Sequence, residues 1–306
     1  MKKTVLLAIP LLAMVSCSTT QKATQAQESY TPAMKKVISD YPTIAGFEKR
    51  AIFLSKLTPE EEKNSMIEII PGKELFVDCN QHSILGEMSE RKLDKNGNLF
   101  FFFNSTGEIV STKKACLDDV KQQKFVTGET LITDYRSDIP LVVYTSQHLD
   151  VKYKLWKGGE VKSVNNNDDN ALLSEKVLKI ATYFPQIDGY EKHVLFLPPL
   201  ENGDEANRKV EIIPGKNLKV DCNSHVMQGT ITSKELIGFG YNYFVYDSEG
   251  KYVSTRKACL NNELQEKFVS GQTEKLSYNS RMPVVIYTPA GFDVNYKIWE
   301  SNGKMY

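Results

Sequence analysis

Two halves of this chain repeat each other at a constant offset. Counterparts are 143 residues apart, as Cys79 is from Cys222 and Cys116 is from Cys259. A repeat this long indicates a duplicated domain, because solenoid units span only about 20 to 50 residues. Each copy is long enough to bury a core of its own. The aligned blocks include Pro71-Gly72-Lys73 with Pro214-Gly215-Lys216, Val77-Asp78-Cys79-Asn80 with Val220-Asp221-Cys222-Asn223, and Lys124-Phe125-Val126 with Lys267-Phe268-Val269.

Each copy shows the period-two alternation of β-strands. Val151, Tyr153 and Leu155 alternate with residues of the opposite face, and residues 241–246 follow the same pattern. Residues 99–103 and 140–145 are rich in β-formers and are bounded by turn residues. Short strands separated by turns are typical of an antiparallel sandwich or barrel. We therefore predict an all-β protein made of two tandem antiparallel β-sandwich or barrel domains.

Few segments favour a helix. Thr31-Pro32 combines a capping side chain with proline at the first helical position, which predicts a short helix up to Ser39. A second helix is expected over residues 171–182, after the asparagine and aspartate run at 165–170 that indicates a linker. One short helix thus precedes each domain. The charged run at 60–63 is interpreted as a solvated loop.

The first residues resemble an export signal. Lys2 and Lys3 precede an apolar run from Val5 to Val15, which is long enough for a signal peptide and too short to cross a bilayer. Met14-Val15-Ser16-Cys17 resembles the cleavage box of bacterial lipoproteins, in which the cysteine is acylated. Residues 18–31 have almost nothing to bury, as is typical of a flexible tether. The alternative is a soluble secreted protein whose fifth cysteine lies in a discarded peptide.

These features divide the chain into five expected segments. They are a lipoprotein signal peptide with acylated Cys17 at 1–17, a tether at 18–31, a first domain at 32–163, a linker with a short helix at 164–182, and a second domain at 183–306. Such a lipoprotein would lie in the cell envelope, facing the periplasm or anchored in the outer membrane. The net charge is zero, with 38 basic and 38 acidic residues. Nucleic acid is therefore not an expected partner.

The four remaining cysteines form two matched pairs, one in each copy. An oxidising compartment favours disulfides, and the matched positions predict the bridges Cys79–Cys116 and Cys222–Cys259. Each bridge would stabilise the fold by about 3 to 4 kcal/mol in the chain-entropy treatment. A zinc site is the competing use of these cysteines, but no CxxC spacing occurs. We expect neither a metal nor a cofactor.

A candidate binding loop lies beside the second cysteine of each pair. Each loop places two small polar residues before a basic side chain, as a segment offered to a trypsin-like protease would. Threonine favours an extended backbone, and the neighbouring bridge would reduce the cost of ordering the loop on binding. Adjacent basic residues leave the register open, and a basic hairpin tip without function is the alternative. The loop residues are Ser111, Thr112, Lys113, Lys114 and Ala115 in the first copy, and Ser254, Thr255, Arg256, Lys257 and Ala258 in the second.

Several blocks in a fixed order resemble one family. Both copies are similar to ecotin, the bacterial periplasmic serine-protease inhibitor, over nearly all of residues 41–163 and 184–306. The resemblance rests on Val-Asp-Cys-Asn-x-His, Val-Ser-Thr-basic-x-Ala-Cys, Lys-Phe-Val, Pro-Val-Val-Ile-Tyr-Thr at 283–288, and Asp-Val-Asn-Tyr-Lys-Ile-Trp at 293–299. It implies that P1, the residue that fills the S1 specificity pocket of the protease, directly follows Val-Ser-Thr, at Lys113 and Arg256. The family usually carries methionine there, so basic residues imply trypsin-like targets.

The resemblance also implies a secondary protease-contacting patch. The second copy matches the family pattern in part, whereas the first copy departs from it with Asn96-Gly97-Asn98-Leu99 and Asp134-Tyr135-Arg136-Ser137-Asp138. Ordinary strand packing is the alternative for the aromatic residues. The candidate patch residues are Phe239, Gly240, Tyr241, Asn242, Asn279 and Arg281.

Family members are dimers that exchange the strand ending in tryptophan, so that one protease touches the loop of one protomer and the patch of the other. Residues 150–156 and 293–299 are the matching strands here, which implies a pseudo-dimer within the chain or a homodimer. His82 and His225 follow a cysteine by three residues and are interpreted as hydrogen-bonding supports of the loops. A disulfide-bonded cysteine offers no nucleophile, and no Ser-His-Asp set stands out, so an enzyme is not expected.

The expected function is therefore a membrane-tethered, double-headed inhibitor of trypsin-fold serine proteases that occludes the active site as a substrate would. Protease–inhibitor interfaces of ordinary size reach very tight binding, and P1 is the expected hot spot. The alternative is an envelope-anchored peptide-binding or adhesion module that kept the fold without inhibition.

Overall fold

A computed structural model describes residues 31–95, 97–118, 120–146, 148–164, 174–200, 203–260 and 263–306. These residues form strands and loops with a few short helices, so the predicted all-β class is confirmed. The predicted signal peptide, with Cys17, and nearly all of the predicted tether lie outside the described residues. Within the described ranges, no helix has both the length and the apolar character needed to span a membrane.

The first copy is built from short strands at the segments that alternate in the sequence. Its elements are α1 (Pro32–Ser39), β1 (Phe47–Ile52), α2 (Pro59–Lys63), β2 (Ser65–Val77), β3 (His82–Ile84), β4 (Glu87–Lys92), β5 (Leu99–Asn104), β6 (Ile109–Ser111), β7 (Gln122–Thr127), β8 (Leu131–Asp134), β9 (Leu141–Ser146) and β10 (Asp150–Ser163).

The second copy repeats this order, with a 3-10 turn at Glu205–Asn207 in place of α2. Its other elements are α3 (Glu175–Ala181), β11 (Tyr190–Leu195), β12 (Arg208–Val220), β13 (His225–Met227), β14 (Thr230–Leu236), β15 (Tyr241–Asp247), β16 (Tyr252–Ser254), β17 (Gln265–Ser270), β18 (Glu274–Ser277), β19 (Val284–Pro289) and β20 (Asp293–Glu300).

Each copy contributes two small sheets of its own. The four-stranded sheets have the orders β1-β9-β5-β4 and β11-β19-β15-β14. Their central pairs, β5 with β9 and β15 with β19, are parallel, whereas the other pairs of these sheets are antiparallel. The two-stranded sheets β3-β6 and β13-β16 lead directly into the candidate binding loops. The same strand order in both copies agrees with a duplicated domain.

A third sheet runs through both copies, in the order β17-β12-β20-β10-β2-β7, with β18 on β12 and β8 on β2. β10 pairs with β2 over residues 150–157, and residues 157–163 then pair with β20 of the second copy. In return, Tyr306 exchanges two backbone hydrogen bonds of 3.0 and 2.9 Å with Tyr153. Each tryptophan-ending strand pairs within its own copy, so the exchange of residues 150–156 and 293–299 that the resemblance implied is wrong. The segments that follow the tryptophans cross between the copies instead.

The two tryptophans meet where the copies join. Trp156 and Trp299 are 2 and 4 % exposed and pack with Met66 in one buried cluster. Each indole N–H donates a hydrogen bond of 2.9 Å to a glutamate, Trp156 to Glu68 and Trp299 to Glu211. Satisfying the indole N–H is what allows so large a side chain to be fully buried. The contact between the copies is therefore a packed core as well as a strand ladder.

Matched polar contacts flank this cluster. The Lys154 ammonium donates to Asn207 Oδ1 at 3.3 Å, and the Lys297 ammonium donates to Asn64 Oδ1 at 3.2 Å. Both bonds run from one copy to the other, and the two are related by the sequence offset. The same residue types thus serve both sides of the join, as in a symmetric dimer.

Each copy also buries a hydrophobic core between its sheets. A repeated glycine allows two strands to approach closely there. A Cβ atom on Gly72 would lie 2.6 Å from the Phe125 ring, and one on Gly215 would lie 2.6 Å from the Val269 carbonyl oxygen. Representative core residues are Ile67, Ile69, Phe101, Phe103, Val143 and Leu149 in the first copy, and Val210, Ile212, Phe244, Tyr246, Ile286 and Val294 in the second.

The helix predictions are partly correct. α1 begins as expected, with the Thr31 hydroxyl accepting a hydrogen bond from the Met34 N–H at 3.3 Å. α3 is shorter than predicted: it starts after Ser174 and buries Val177 and Ile180, while residues 171–173 lie outside the described ranges.

The interpretation of residues 60–63 as a solvated loop was wrong, because they belong to α2. Thr58 and Glu61 form a capping box, in which the Thr58 hydroxyl accepts from the Glu61 N–H and the Glu61 carboxylate accepts from the Thr58 N–H. Glu62 accepts hydrogen bonds from the backbone N–H and the hydroxyl of Ser137. A capping box satisfies two N–H groups at the helix start, so a five-residue helix forms despite its run of like charges.

Candidate functional site

Both candidate loops begin at the end of a two-stranded sheet. Ser111 ends β6 opposite His82, and Ser254 ends β16 opposite His225. From there each chain runs without regular secondary structure to the second cysteine. All predicted loop residues, 111–115 and 254–258, are exposed. The structure therefore displays both basic pairs to solvent.

The two predicted disulfides are confirmed. Cys79 bonds to Cys116, and Cys222 bonds to Cys259, with Cα atoms 5.8 Å apart in both bridges. The first cysteine of each pair follows the long strand β2 or β12 closely. The bridge therefore fixes the end of each loop to the sheet that joins the copies.

In the first loop, the side chain of Asn80 reaches both neighbours of Lys113. Its Oδ1 accepts a hydrogen bond from the Thr112 hydroxyl at 2.9 Å and one from the Lys114 N–H at 2.7 Å. Its Nδ2 donates to the Lys114 carbonyl oxygen at 3.3 Å. Asn80 is only 9 % exposed, so water competes poorly for these bonds. One amide thus fixes the backbone around Lys113 while the lysine itself stays exposed.

The second loop has the same arrangement around Arg256. Asn223 Oδ1 accepts from the Thr255 hydroxyl at 2.8 Å and from the Lys257 N–H at 2.7 Å. Its Nδ2 donates to the Lys257 carbonyl oxygen at 3.3 Å. Asn223 is 6 % exposed. We call Asn80 and Asn223, with their hydrogen bonds to the loop, the asparagine clamps.

An aspartate positions each clamp. Asp78 accepts from the backbone N–H of Asn80 at 2.9 Å and from its amide at 3.1 Å. Asp221 accepts the equivalent bonds from Asn223, both at 2.9 Å. These hydrogen bonds hold the pKa of both carboxyls below its usual value, chiefly through the Asn80 backbone N–H at Asp78 and the Asn223 amide at Asp221. Both carboxylates are therefore charged at neutral pH and act only as acceptors.

The two histidines lie behind the clamps. His82 Nδ1 is 3.0 Å from the Asn80 carbonyl oxygen, and His82 Nε2 is 3.5 Å from Asp78 Oδ1. His225 Nε2 is 3.2 Å from Asp221 Oδ1. Both side chains contact the Asp-Cys-Asn turn, and the His225 ring also packs against the ring of Tyr252 in β16, with centroids 5.4 Å apart.

Sequence reasoning assigned loop support to the histidines and missed the asparagines. The available signal was the repeated Asp-Cys-Asn, since an aspartate that bonds the backbone two residues on forms a turn. That turn predicts a fixed asparagine side chain, but not the loop toward which it points. The target of the amide is set by β6 and β16, which are far from Asn80 and Asn223 in sequence.

In the predicted patch of the second copy, one exposed ring lies beside two partly buried rings. Phe239 is 49 % exposed, and its ring centroid lies 4.8 Å from that of Tyr183 and 6.3 Å from that of Tyr241. Gly238 and Gly240 have φ values of +85° and +65°, a left-handed backbone that favours glycine. The turn between β14 and β15 thus exposes Phe239, whereas Tyr183 and Tyr241 also pack against a buried core cluster, as in ordinary strand packing.

The other patch residues lie nearby in sequence or on the loop after β18. Asn242 is exposed in β15, and Arg281 is exposed with its backbone N–H bonded to Asn279 Oδ1 at 3.0 Å. In the first copy, the positions of the three stacked rings are occupied by polar residues in the sequence. They are Asp40, Asn96 and Asn98.

The fold and these loops define a class of protein: a duplicated all-β chain that presents two exposed, disulfide-tethered loops, each fixed by a buried asparagine. The ecotin family model matches residues 37–158 and 179–301, which together cover most of the chain. The chain therefore belongs to the ecotin family.

Individual relatives carry the same name. The chain is similar to Ecotin of Serratia proteamaculans (strain 568), with 36 % identity over 142 residues, which cover 45 % of this chain and 82 % of that protein. It is 40 % identical over 126 residues to Ecotin of Yersinia enterocolitica, covering 40 % of this chain and 74 % of that protein. Ecotin of Yersinia pestis (strain Pestoides F) is 41 % identical over 127 residues, with the same coverage. Each alignment spans less than half of this chain, as expected where the sequence is duplicated.

Proposed function

We propose that this chain is a double-headed inhibitor of trypsin-like serine proteases, with Lys113 and Arg256 as its two P1 residues. Membership of the ecotin family supports a serine protease inhibitor function. The asparagine clamps are the observation that favours these two residues as P1. In each copy one buried amide binds the residue before and the residue after the exposed basic residue. This favours Lys113 over Lys114, and Arg256 over Lys257, as P1, because only the first residue of each pair lies between the clamped neighbours.

Each loop would enter the protease as a substrate does. The S1 pocket of a trypsin-like protease ends in a carboxylate, with which a lysine or arginine side chain pairs. The clamp and the disulfide fix the loop backbone before binding, so little conformational entropy is lost on association. If the bond after P1 is cut, the clamp still holds P2 and P1′, the residues on either side of P1. The new amine then stays beside the acyl group, and religation competes with release.

We also propose that the two copies act as a pseudo-dimer within one chain. The continuous sheet and the buried tryptophan cluster support this, because they join the copies as two protomers would be joined. A protease held at Lys113 would then contact the aromatic patch of the second copy around Phe239 and Tyr241. A protease held at Arg256 would meet the polar counterpart on the first copy. The first head is therefore expected to bind more tightly than its P1 residue alone predicts.

The sequence alone supports an envelope location. We propose that Cys17 is acylated, that residues 18–31 tether the protein, and that domains 32–163 and 183–306 are joined by residues 164–182. Fatty-acid labelling of the protein expressed in a bacterial host, compared with a Cys17→Ala variant, tests the anchor. Label retained by the variant would exclude Cys17 as the acylation site.

Titration with trypsin tests the two heads. The unaltered chain is expected to inactivate two trypsin molecules, the Lys113→Ala and Arg256→Ala variants one each, and the double variant none. Lys114→Ala and Lys257→Ala are matched controls, since they remove a neighbouring basic side chain and should keep the stoichiometry. Inhibition by the double variant would refute the assignment of the loops. No inhibition by the unaltered chain would instead favour a peptide-binding or adhesion module.

Light scattering tests the pseudo-dimer. A single chain that binds two proteases without forming dimers is the expected result. A stable dimer of chains that forms no complex of one chain with two proteases would contradict it.

A further inference from the structure

In each copy an exposed leucine follows the cysteine at the end of the loop. Leu117 comes after Cys116, Leu260 comes after Cys259, and both are fully exposed, at 107 % of the reference area. Single exposed leucines are common on protein surfaces. These two occupy the same position in both copies, four residues after the proposed P1, beside a bridge that fixes the neighbouring backbone.

Further apolar side chains lie around the base of the first loop. Phe76 is 69 % exposed and Val120 is 60 % exposed. Phe76 pairs with Gln123 in the ladder between β2 and β7, close to the disulfide that precedes Leu117. In the second copy Leu264 is 62 % exposed at the matching end of β17. We call these residues the apolar shoulders: Phe76, Leu117 and Val120 in the first copy, and Leu260 and Leu264 in the second.

The shoulders lie within reach of a protease docked on the loop. Four residues of extended chain span at most about 14 Å, which bounds the distance from Lys113 to Leu117 and from Arg256 to Leu260. A standard protease–inhibitor interface covers about 800 Å² per partner, which corresponds to a disc of about 16 Å radius. An interface centred on P1 therefore extends over the leucine, on the side of the loop that follows the scissile bond.

We propose that each apolar shoulder is a second specificity element of its head, which packs against an apolar surface on the leaving-group side of a trypsin-like protease. This inference rests on the proposed inhibitory function and deepens it. The P1 side chain selects the S1 pocket alone, whereas the shoulder selects among proteases that share a carboxylate in that pocket. A protease with charged residues on its leaving-group side would have to desolvate them against leucine, which costs affinity.

The two shoulders differ at three positions, which makes the heads selective for different surfaces. The counterpart of Val120 is the exposed Glu263, and the counterpart of Leu264 is the exposed Lys121. The counterpart of the exposed Phe76 is the exposed Lys219. The first head therefore presents an aromatic ring where the second presents a cation. The first head fits a leaving-group side with apolar surface for Phe76 and Leu117, and the second fits one that combines an apolar site for Leu260 with an acidic residue near Lys219.

The test isolates the first head by using Arg256→Ala as the background and trypsin as the probe. Adding Leu117→Ser is expected to raise the inhibition constant about tenfold or more, because a buried leucine is worth more than one factor of ten in affinity. The increase should appear mainly in the dissociation rate. Leu85→Ser in the same background is the matched control. Leu85 is 45 % exposed and follows Ile84, at the end of β3 opposite the loop, so its replacement should leave the inhibition constant unchanged.

The outcomes separate this inference from the proposed function. If Lys113→Ala abolishes inhibition in this background but Leu117→Ser leaves the inhibition constant unchanged, the shoulder is overturned and the loop assignment stands. If Lys113→Ala has no effect, the loop assignment itself fails. If Leu117→Ser and Leu260→Ser abolish a concentration-dependent self-association without changing inhibition, the shoulder joins copies of the chain, which also overturns the inference. An unchanged thermal melt shows that the variants fold.

Discussion

Replacing Asn223 by alanine removes three hydrogen bonds from the second loop. They join the asparagine amide to the Thr255 hydroxyl, the Lys257 N–H and the Lys257 carbonyl oxygen. Each contributes about 0.5 to 1.5 kcal/mol, which bounds the loss at about 1.5 to 4.5 kcal/mol. The loop partners are exposed and regain hydrogen bonds to water, so we expect a loss near the lower end, about 2 kcal/mol. This corresponds to about a 30-fold increase in the inhibition constant.

The assay measures the inhibition constant for trypsin in a Lys113→Ala background, so that only the second head acts. Cleavage of the loop is followed in the same samples by mass spectrometry. Asn223→Ala should be cleaved faster, because the released amine is no longer held beside the acyl group. Thr255→Val removes one of the three bonds, together with the hydrogen bond that the Thr255 hydroxyl accepts from the Ser224 N–H at 3.1 Å. It should raise the inhibition constant about 3- to 10-fold.

Asn217→Ala is the matched control, since Asn217 is exposed on β12 and bonds to Asp293 rather than to the loop. It should change neither the inhibition constant nor the cleavage rate. Unchanged inhibition and unchanged cleavage in Asn223→Ala would refute the clamp as the element that preorganises the loop.

Four further measurements address the fold. Replacing both Cys222 and Cys259 by serine should lower the free energy of unfolding in urea by about 3 to 4 kcal/mol; an unchanged midpoint would show that the bridge adds nothing. Trp156→Ala should lower the free energy of unfolding by about 3 to 5 kcal/mol, because it empties a buried site between the copies. If this contact alone couples the unfolding of the two copies, calorimetry should then show two transitions. The pKa of Asp221 is lowered in the folded protein, so its ionised form stabilises the fold at pH values above the usual aspartate pKa. This stabilisation is lost as pH falls through the lowered pKa. Asp221→Asn should therefore flatten the acid side of the plot of melting temperature against pH. Burial raises the pKa of Tyr278 to about 12, so stability should fall as pH rises toward that value, and ultraviolet titration should show this tyrosine ionising after the exposed ones.

The sequence predicted the features that depend on local pattern or on the duplication. Alternation located β5, β9 and β15 to within a residue or two, and the matched cysteines predicted both bridges. The exposed loops follow from the same repetition. These predictions succeed because period-two alternation and disulfide pairing are encoded by a few nearby or matched residues.

Two of the features that were missed depend on contacts between distant segments. Residues 158–163 carry glycines and exposed polar side chains, so nothing in their pattern indicates that they pair with β20. The target of the Asn80 amide is likewise set by a strand that begins some 30 residues later. α2 was missed for a local reason, since the capping box of Thr58 and Glu61 was overlooked in a run of charges.

The crossing segments have a consequence for behaviour on dilution. Two separate subunits dissociate once their concentration falls below the dissociation constant, and a binding surface shared between them is then lost. Within one polypeptide, the partner is present at an effective concentration of about millimolar, whatever the amount of protein in solution. A surface built from both copies would therefore remain assembled at trace levels, where few molecules of the protein ever meet one another.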